Sequence, residues 1–153
     1  MAKSRKWKIK GLENKTPFAD AGKIVLMQRQ KVLVASIKKF LTDESVENLH
    51  DIRITLRRLR YNMEIFFDCF DKKRFLVFYK KISSLQDLTG SKRDLDVLIE
   101  NIKSVSTNNK TGAINSFIKR VEEKKSFLND NLILELMDFI HCKELKDFVK
   151  MIS

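Results

Sequence analysis

Apolar residues recur along most of this chain at intervals of three, four and seven, the spacing that places them on one face of an α-helix. The first such segment follows Pro17, a residue that suits the first turn of a helix, with Thr16 as its expected cap. Its apolar positions are Leu26, Leu33, Ile37 and Phe40. A second helix is predicted over about residues 45–70, with its core face formed by Leu49, Ile52, Leu56, Leu59, Met63, Phe66 and Phe70.

The second half of the chain continues the same pattern. A third helix is predicted to begin near Lys72 and to end at Gly90, since glycine commonly follows the last turn of a helix. A short helix at about residues 95–102 follows. The stretch 113–140 predicts one long helix or two stacked ones, and after a break a short helix covers residues 143–151.

The scarcity of chain breakers supports a helical fold. One proline and four glycines occur in 153 residues, residues 106–112 form the clearest loop, and no long stretch alternates between apolar and polar positions. A hydrophobic fraction of 43% is enough to build a core. We therefore predict an all-α antiparallel bundle of four main helices plus short helices, folded as a single domain over residues 1–153 that includes a basic segment at residues 1–16.

The chain is strongly basic. Its 31 Lys and Arg residues exceed its 20 Asp and Glu residues and give a formal net charge of +11. This excess favours a polyanionic partner, which could be a nucleic acid, an anionic membrane surface or a phosphate polymer. The alternative is a basic protein without such a partner, and charge alone does not decide.

Several classes of protein fit the sequence poorly. Cys69 and Cys142 form no Cys-x-x-Cys pair, so we expect reduced structural thiols, no metal site and no cofactor. No apolar run reaches the roughly 18–20 residues of a membrane span, and the basic N-terminus lacks the apolar region of a secretory signal. We expect a cytoplasmic protein. Its N-terminal segment is either a flexible cationic arm or a strap whose Trp7 and Ile9 pack on the body, and the tryptophan favours the strap.

The densest group of cations lies in the predicted second helix, within the stretch HDIRITLRRLR. At about 100° per residue, Arg53, Arg57 and Arg60 fall within about 80° of His50 on one side, and the apolar stripe lies on the other side of the helix. Arg58 lies about 80° from His50 in the opposite direction and flanks this cationic face.

Stacked like charges repel one another by a few tenths of a kcal/mol per pair, and only Asp51 and Glu64 lie close enough in sequence to offset them. We infer that the counter-charges arrive with a ligand. The planar fork of arginine suits phosphate oxygens, and one cation per helical turn suits a linear polyphosphoryl chain. The alternative is a solvated face, or arginines paired with acids of neighbouring helices.

The same stretch resembles the signature of the CHAD family, the conserved-histidine α-helical domain. In that family a helix carries His-x-x-Arg, then a basic pair, then a further Arg, and these places are matched by His50, Arg53, Arg57, Arg58 and Arg60. The stretch LTGSKRDLDV resembles the second landmark of the family, which is carried here by Gly90, Arg93, Asp94, Asp96 and Val97.

The resemblance implies a non-catalytic helical bundle that binds inorganic polyphosphate along a basic channel. By position, the channel residues would be His50, Arg53, Arg57 and Arg60, with Arg58 at the edge. Arg93 is either a further contact or the partner of Asp94 or Asp96 in an ion pair. Lys31, Lys38 and Lys39 of the first helix match no motif, and whether they join the site stays open.

The resemblance also implies a partner chain. A full CHAD domain contains two such bundles related by a pseudo-two-fold axis, whereas the basic motif occurs once here, and the stretch after His141 lacks its arginine spacing. The chain therefore resembles one half of a CHAD double bundle. We expect a homodimer in which the two motif helices face a shared groove.

Two other functions compete with polyphosphate binding, and a third could accompany it. A nucleic acid would also suit a basic groove, but the basic face has no Asn or Gln to read bases. Catalysis by His50 is not expected, because the sequence offers no Gly-rich phosphate loop. A targeting role, in which the chain places a partner protein on polyphosphate granules, is compatible with binding.

Overall fold

The computed structural model of the protein describes residues 9–106 and 112–153. Five α-helices account for most of these two stretches, and neither stretch contains a β-strand, which confirms the predicted all-α fold class. The helices are α1 (Phe18–Thr42), α2 (Val46–Ile65), α3 (Lys72–Val105), α4 (Gly112–His141) and α5 (Lys143–Ile152), and a single 3-10 turn, Phe67–Cys69, follows α2.

Polar caps fix where α2 and α3 begin. The Ser45 hydroxyl accepts a hydrogen bond from the backbone N–H of Asn48 at 3.2 Å, and the Asn48 amide donates to the backbone oxygen of Asp43 at 2.7 Å. Asp71 accepts from the backbone N–H of Arg74 at 2.9 Å. Each cap satisfies a backbone donor that the first turn leaves unpaired, so the turn before each helix is held in place.

The predicted end of the third helix at Gly90 is wrong. Helix α3 continues through this residue for 34 residues, and it also contains the predicted short helix. A glycine that ends a helix adopts a positive φ, which among the described glycines only Gly11 does. Thr89 and Lys92 are buried on either side of Gly90, and their packing outweighs the roughly 1 kcal/mol that a helical glycine costs.

Two helix ends also differ from expectation. The cap of α1 is Pro17, and the Thr16 hydroxyl accepts from the backbone of Glu13 at 3.1 Å and does not cap α1. Helix α2 stops at Ile65 and not at Phe70, because the chain tightens there into the 3-10 turn. The predicted stretch 113–140 is one helix, and the predicted break and final short helix are confirmed.

The core is formed where all five helices meet. Helices α1 and α2 bury the apolar positions predicted for them, from Leu26 to Phe40 and from Leu49 to Phe66. Helix α5 closes the bundle by stacking Phe148 on Phe78 of α3, with ring centroids 4.1 Å apart. None of the helices in the described residues has the apolar length needed to cross a membrane.

The α3–α4 hairpin extends beyond the rest of the bundle. Helix α3 is about 51 Å long and α2 about 30 Å, and the last turns of α3 line a pocket together with the first turns of α4. Val105 is 86% exposed there, and Leu98 and Phe117 are exposed as well. The predicted loop lies largely outside the described residues, as does Trp7, while Ile9 packs partly buried against the core.

Candidate functional site

Helices α2 and α3 are joined by a short connection and lie side by side, with a cleft of about 540 Å³ between them. We call this space the α2–α3 cleft. Its α2 wall consists of His50, Arg53, Ile54 and Arg57, and its α3 wall of Gln86, Asp87, Gly90, Ser91 and Asp94. The structure therefore brings together three of the predicted site residues. It adds a second wall, of which the sequence had singled out only Gly90 and Asp94, as parts of the second landmark.

A smaller adjoining pocket extends the cleft toward the start of α2. This pocket, about 370 Å³, shares His50 and Arg53 with the cleft and reaches Arg93 of α3. We call it the Arg93 pocket. The two spaces share His50 and Arg53, and their linings together follow a path from Arg57 to Arg93, with Glu47 and Asp51 also beside Arg93.

The helix phase decides which side chains of α2 reach the cleft. Ile52, Leu56 and Leu59 are fully buried in the core, which turns the opposite side of the helix outward. His50 and Arg57 are exposed and Arg53 is half-buried. The face predicted from the spacing of the arginines is thus the face that lines the cleft at these three positions.

Gly90 keeps the α3 wall open. A Cβ atom at this position would meet no other atom within 4 Å, so core packing does not require a glycine here. Nor does the backbone, because Gly90 is helical and has no positive φ. Gly90 lines the cleft, and it lowers helix stability without being needed for core packing. Its missing side chain leaves room for a ligand.

The formal charges of the cleft lining cancel when His50 is counted as neutral, because two arginines face two aspartates. Across the described residues, His50, Arg53 and Arg57 form no ion pair with a carboxylate. The carboxylates of Asp87 and Asp94 nevertheless line the same space. The expectation that all counter-charge arrives with a ligand is therefore too strong, because α3 supplies part of it.

Two neutral polar residues of the α3 wall were missed by the sequence analysis. The side-chain oxygen of Gln86 is buried and has no hydrogen-bond partner among the described residues, and Ser91 donates to the backbone oxygen of Asp87 at 3.0 Å. The signal that would have found these residues is their shared phase with Gly90 on an unbroken helix.

A comparison with protein-family models matches residues 2–114, which is 113 of the 153 residues, to the CHAD domain. The chain belongs to the CHAD family. This confirms the resemblance inferred from the two sequence landmarks. Comparisons with curated proteins and with solved structures find no match. CHAD domains are in general related to polyphosphate binding.

Two arginines of the CHAD signature lie outside the cleft. Arg60 forms an ion pair with Glu64, Nε to Oε1 at 3.4 Å, and its guanidinium lies 5.3 Å from the ring centroid of Tyr61. Arg58 lies near Arg29 of α1. The pKa of Arg29 is lowered mainly by burial and to a smaller extent by the charge of Arg58. The structure thus does not bring Arg58 and Arg60 together with His50.

The second CHAD landmark divides between the pocket and the core. Arg93 lines the Arg93 pocket and lies 3.9 Å from Glu100, not in an ion pair with Asp94 or Asp96 as its alternative role supposed. Asp96 is buried and pairs with Lys125 of α4 at 2.6 Å. Asp96 therefore holds α3 against α4.

Lys92 extends this buried polar cluster. Its ammonium donates a hydrogen bond to the side-chain oxygen of Asn129. The side-chain nitrogen of Asn129 in turn donates to a carboxylate oxygen of Glu44 at 3.2 Å. The ammonium also lies 5.4 Å from the ring centroid of Phe40. Burial lowers the pKa of Lys92, while the charge of Asp96 opposes that shift. The cluster joins α3 and α4 to the α1–α2 turn and so supports the wall that carries Gly90.

The lysines of α1 do not join the cleft. Lys31 and Lys38 line a separate groove between α1 and α5, and Lys39 is exposed in the last turn of α1.

Proposed function

We propose that this CHAD chain binds inorganic polyphosphate in the α2–α3 cleft and the Arg93 pocket, and that it acts as a non-catalytic binding or targeting module. One observation carries the proposal. His50, Arg53 and Arg57 line one wall of a cleft without ion pairs in the described residues, opposite a glycine that leaves the other wall open.

The length of the path supports a chain over a compact anion. Along α2, His50 and Arg57 are separated by about 10 Å of rise, and the Arg93 pocket continues beyond His50. A single phosphate could reach only part of this path. A chain of phosphates would contact arginine forks at both ends, and each such charge-assisted hydrogen bond contributes about 1.5–3 kcal/mol.

The carboxylates of the cleft sharpen this preference. Asp87 and Asp94 offset the charges of Arg53 and Arg57, and Glu47 and Asp51 line the Arg93 pocket, so a small anion gains little there. A longer polyanion gains more because it contacts Arg57 and Arg93 at the same time. We expect affinity to rise steeply with chain length.

The lining of the cleft disfavours a nucleic acid. Packed helices lie about 8–10 Å apart, so a cleft between them admits an unbranched chain more readily than a duplex. No Phe, Tyr or Trp side chain lines the cleft or the Arg93 pocket among the described residues, and stacking on such rings is the usual means of holding single-stranded bases. Nucleic-acid binding remains the alternative function, and in that case the nucleic acid would contact only the rim of the cleft.

We also propose that two copies of the chain pair through α2. Tyr61 and Ile65 are 48% and 61% exposed and share a line on α2 with Ile54, since their spacings are seven and four. This apolar stripe runs beside the cations of the cleft. An isologous contact through it would place the clefts of the two copies side by side.

Competitive binding tests the proposed ligand. Labelled long-chain polyphosphate is titrated with the protein at about 0.15 M salt, where exposed charges are screened beyond about 8 Å, with excess duplex DNA present. We expect the wild type to retain the label. The Arg53→Ala, Arg57→Ala double variant should lose at least about tenfold in affinity, the equivalent of about 1.4 kcal/mol.

A matched variant controls for bulk charge. Lys73 and Lys80 are exposed on α3 away from the cleft, so Lys73→Ala, Lys80→Ala removes the same charge and should change affinity by less than about twofold. If DNA displaces the label, or if both double variants weaken binding equally, the cleft is a generic cationic surface and the proposal is wrong.

A further inference from the structure

A second groove, distinct from the cleft, lies between α1 and α5. It measures about 600 Å³ and shares no lining residue with the α2–α3 cleft or the Arg93 pocket. We call it the α1–α5 groove. Its floor is mainly apolar, with Val34 contributed by α1 and Leu145 and Val149 by α5, and it also includes the buried amide side chain of Gln30.

Lysines border this floor from both helices. Lys31 and Lys38 lie on α1 and Lys146 and Lys150 on α5, and all four are exposed. No acidic residue lines the groove, and across the described residues none of the four lysines is ion-paired. The groove therefore combines uncompensated positive charge with apolar surface, and an occupant must match both.

A phosphate chain does not match both properties. It has no apolar part to cover Val34 and Val149, and the groove contains no arginine to bind its oxygens bidentately. A lipid bilayer also fits poorly, because its broad surface would contact the lysines of the two rims but not a floor recessed between two helices. A rod-shaped occupant with an apolar face and acidic flanks satisfies the geometry.

We propose that the α1–α5 groove binds an acidic amphipathic helix of a partner protein. Lys31 and Lys38 are two helical turns apart, about 10 Å, which matches acidic residues spaced seven apart on an incoming helix. Apolar anchors at intervals of three and four would occupy the floor between α1 and α5. The groove and the cleft can be filled at the same time, so the chain would attach a partner to a polyanion.

The direct test uses a synthetic peptide of about 18 residues, or five helical turns, with a leucine face and glutamate flanks, measured by fluorescence anisotropy. A scrambled peptide of equal charge has no apolar face and is the control ligand. We expect binding of the amphipathic peptide only, unchanged by saturating polyphosphate.

Two kinds of variant separate charge from shape. Lys31→Glu, Lys146→Glu reverses charge on both rims and should weaken the peptide at least about tenfold, while Lys73→Glu, Lys80→Glu should not. Ala35 is exposed and lines the groove, so Ala35→Trp fills the groove without changing charge or core and should also weaken the peptide. Circular dichroism confirms that each variant remains helical.

Three results would overturn the proposal. Equal binding of the scrambled peptide would show that charge alone is recognised. Displacement of the peptide by polyphosphate would make the groove part of a polyanion surface, and lysine-dependent binding to phosphatidylglycerol vesicles without peptide binding would make it a membrane surface. Polyphosphate binding by the Arg53 and Arg57 variants is measured separately, so failure of the groove leaves the cleft proposal intact.

Discussion

Gly90 of α3 and Arg57 of α2 line the same cleft, one offering no side chain and the other offering a guanidinium. Their relationship predicts an unusual pair of effects for Gly90→Ala. A Cβ here meets no atom within 4 Å, so alanine should stabilise α3 by about 0.5–1 kcal/mol. The added methyl group narrows the cleft, so polyphosphate affinity should fall while stability rises. Urea unfolding and the competitive binding assay measure the two effects.

A larger residue strengthens the test. Gly90→Leu should abolish binding in a chain that stays folded, because the space beside Gly90 is open. Gly112→Ala is the matched control, since Gly112 also has open space around it but begins α4 away from the cleft. Unchanged binding by Gly90→Leu would mean that the ligand does not use the α3 wall.

Arg57 and Arg60 should differ although both belong to the family signature. Arg57 lines the cleft, whereas Arg60 is paired with Glu64. Arg57→Ala should lower the affinity for polyphosphate about tenfold, the effect of losing one charge-assisted hydrogen bond of about 1.5 kcal/mol. Arg60→Ala should lower this affinity less than about threefold. Titrations at several salt concentrations check this, and a smaller loss for Arg57 than for Arg60 would contradict the assignment.

The sequence predicted the α2 wall of the cleft because helix phase is a local property. Once Ile52, Leu56 and Leu59 are assigned to the core, the direction of His50 and Arg57 follows from 3.6 residues per turn. The same reasoning correctly assigned the buried stripe of α1.

The α3 wall could not be predicted, and the reason is physical. A glycine can end a helix or sit within it, and the choice at Gly90 depends on buried neighbours such as Lys92, which are tertiary. With α3 expected to end there, Gln86 and Ser91 could not be assigned to one face. The pairing of Asp96 with Lys125, and of Arg60 with Glu64, likewise depends on side-chain geometry that the sequence leaves open.

His50 should contribute to ligand binding, because it lines the wall of the cleft that also carries Arg53 and Arg57. His50→Gln should therefore weaken polyphosphate binding in the competitive assay. An unchanged affinity in this variant would exclude His50 from the site.

Two buried or half-buried lysines should affect stability in opposite directions at alkaline pH. Burial lowers the pKa of Lys92 in the folded chain, so the cost of its buried charge disappears as pH rises through that lowered pKa toward 10.5. The hydrogen bond to Asp138 raises the pKa of Lys81, so the stability it contributes is present below 10.5 and is lost as pH rises through the raised value.

Methionine variants expose these trends. The stability of the wild type relative to Lys92→Met should increase as the pH rises toward about 10.5, whereas its stability relative to Lys81→Met should decrease as the pH rises above about 10.5. Urea unfolding at each pH measures both. The same sign for the two lysines would contradict the packing of Lys92 between Asn129 and Phe40.

Dimer formation through α2 should depend on the ligand. In the proposed pair, the apolar stripe of Ile54, Tyr61 and Ile65 brings two cationic walls together, and like charges across an interface oppose association. A polyphosphate chain lying along both clefts removes this repulsion. By linkage, the chain strengthens dimerisation by the same factor by which dimerisation strengthens binding of the chain. Sedimentation at micromolar protein should therefore show mass doubling with long chains and less with triphosphate.

The test variant for this prediction lies on α2 and its matched control on α3. Ile65→Glu places a charge in the stripe and should suppress doubling while the cleft residues stay intact, and Val77→Glu, at a similarly exposed apolar position of α3, should not. Because each copy keeps its own cleft, Ile65→Glu should lower the affinity for long chains and leave the affinity for triphosphate unchanged. A wild-type protein that stays monomeric while it binds long chains tightly would mean that one copy holds the ligand alone.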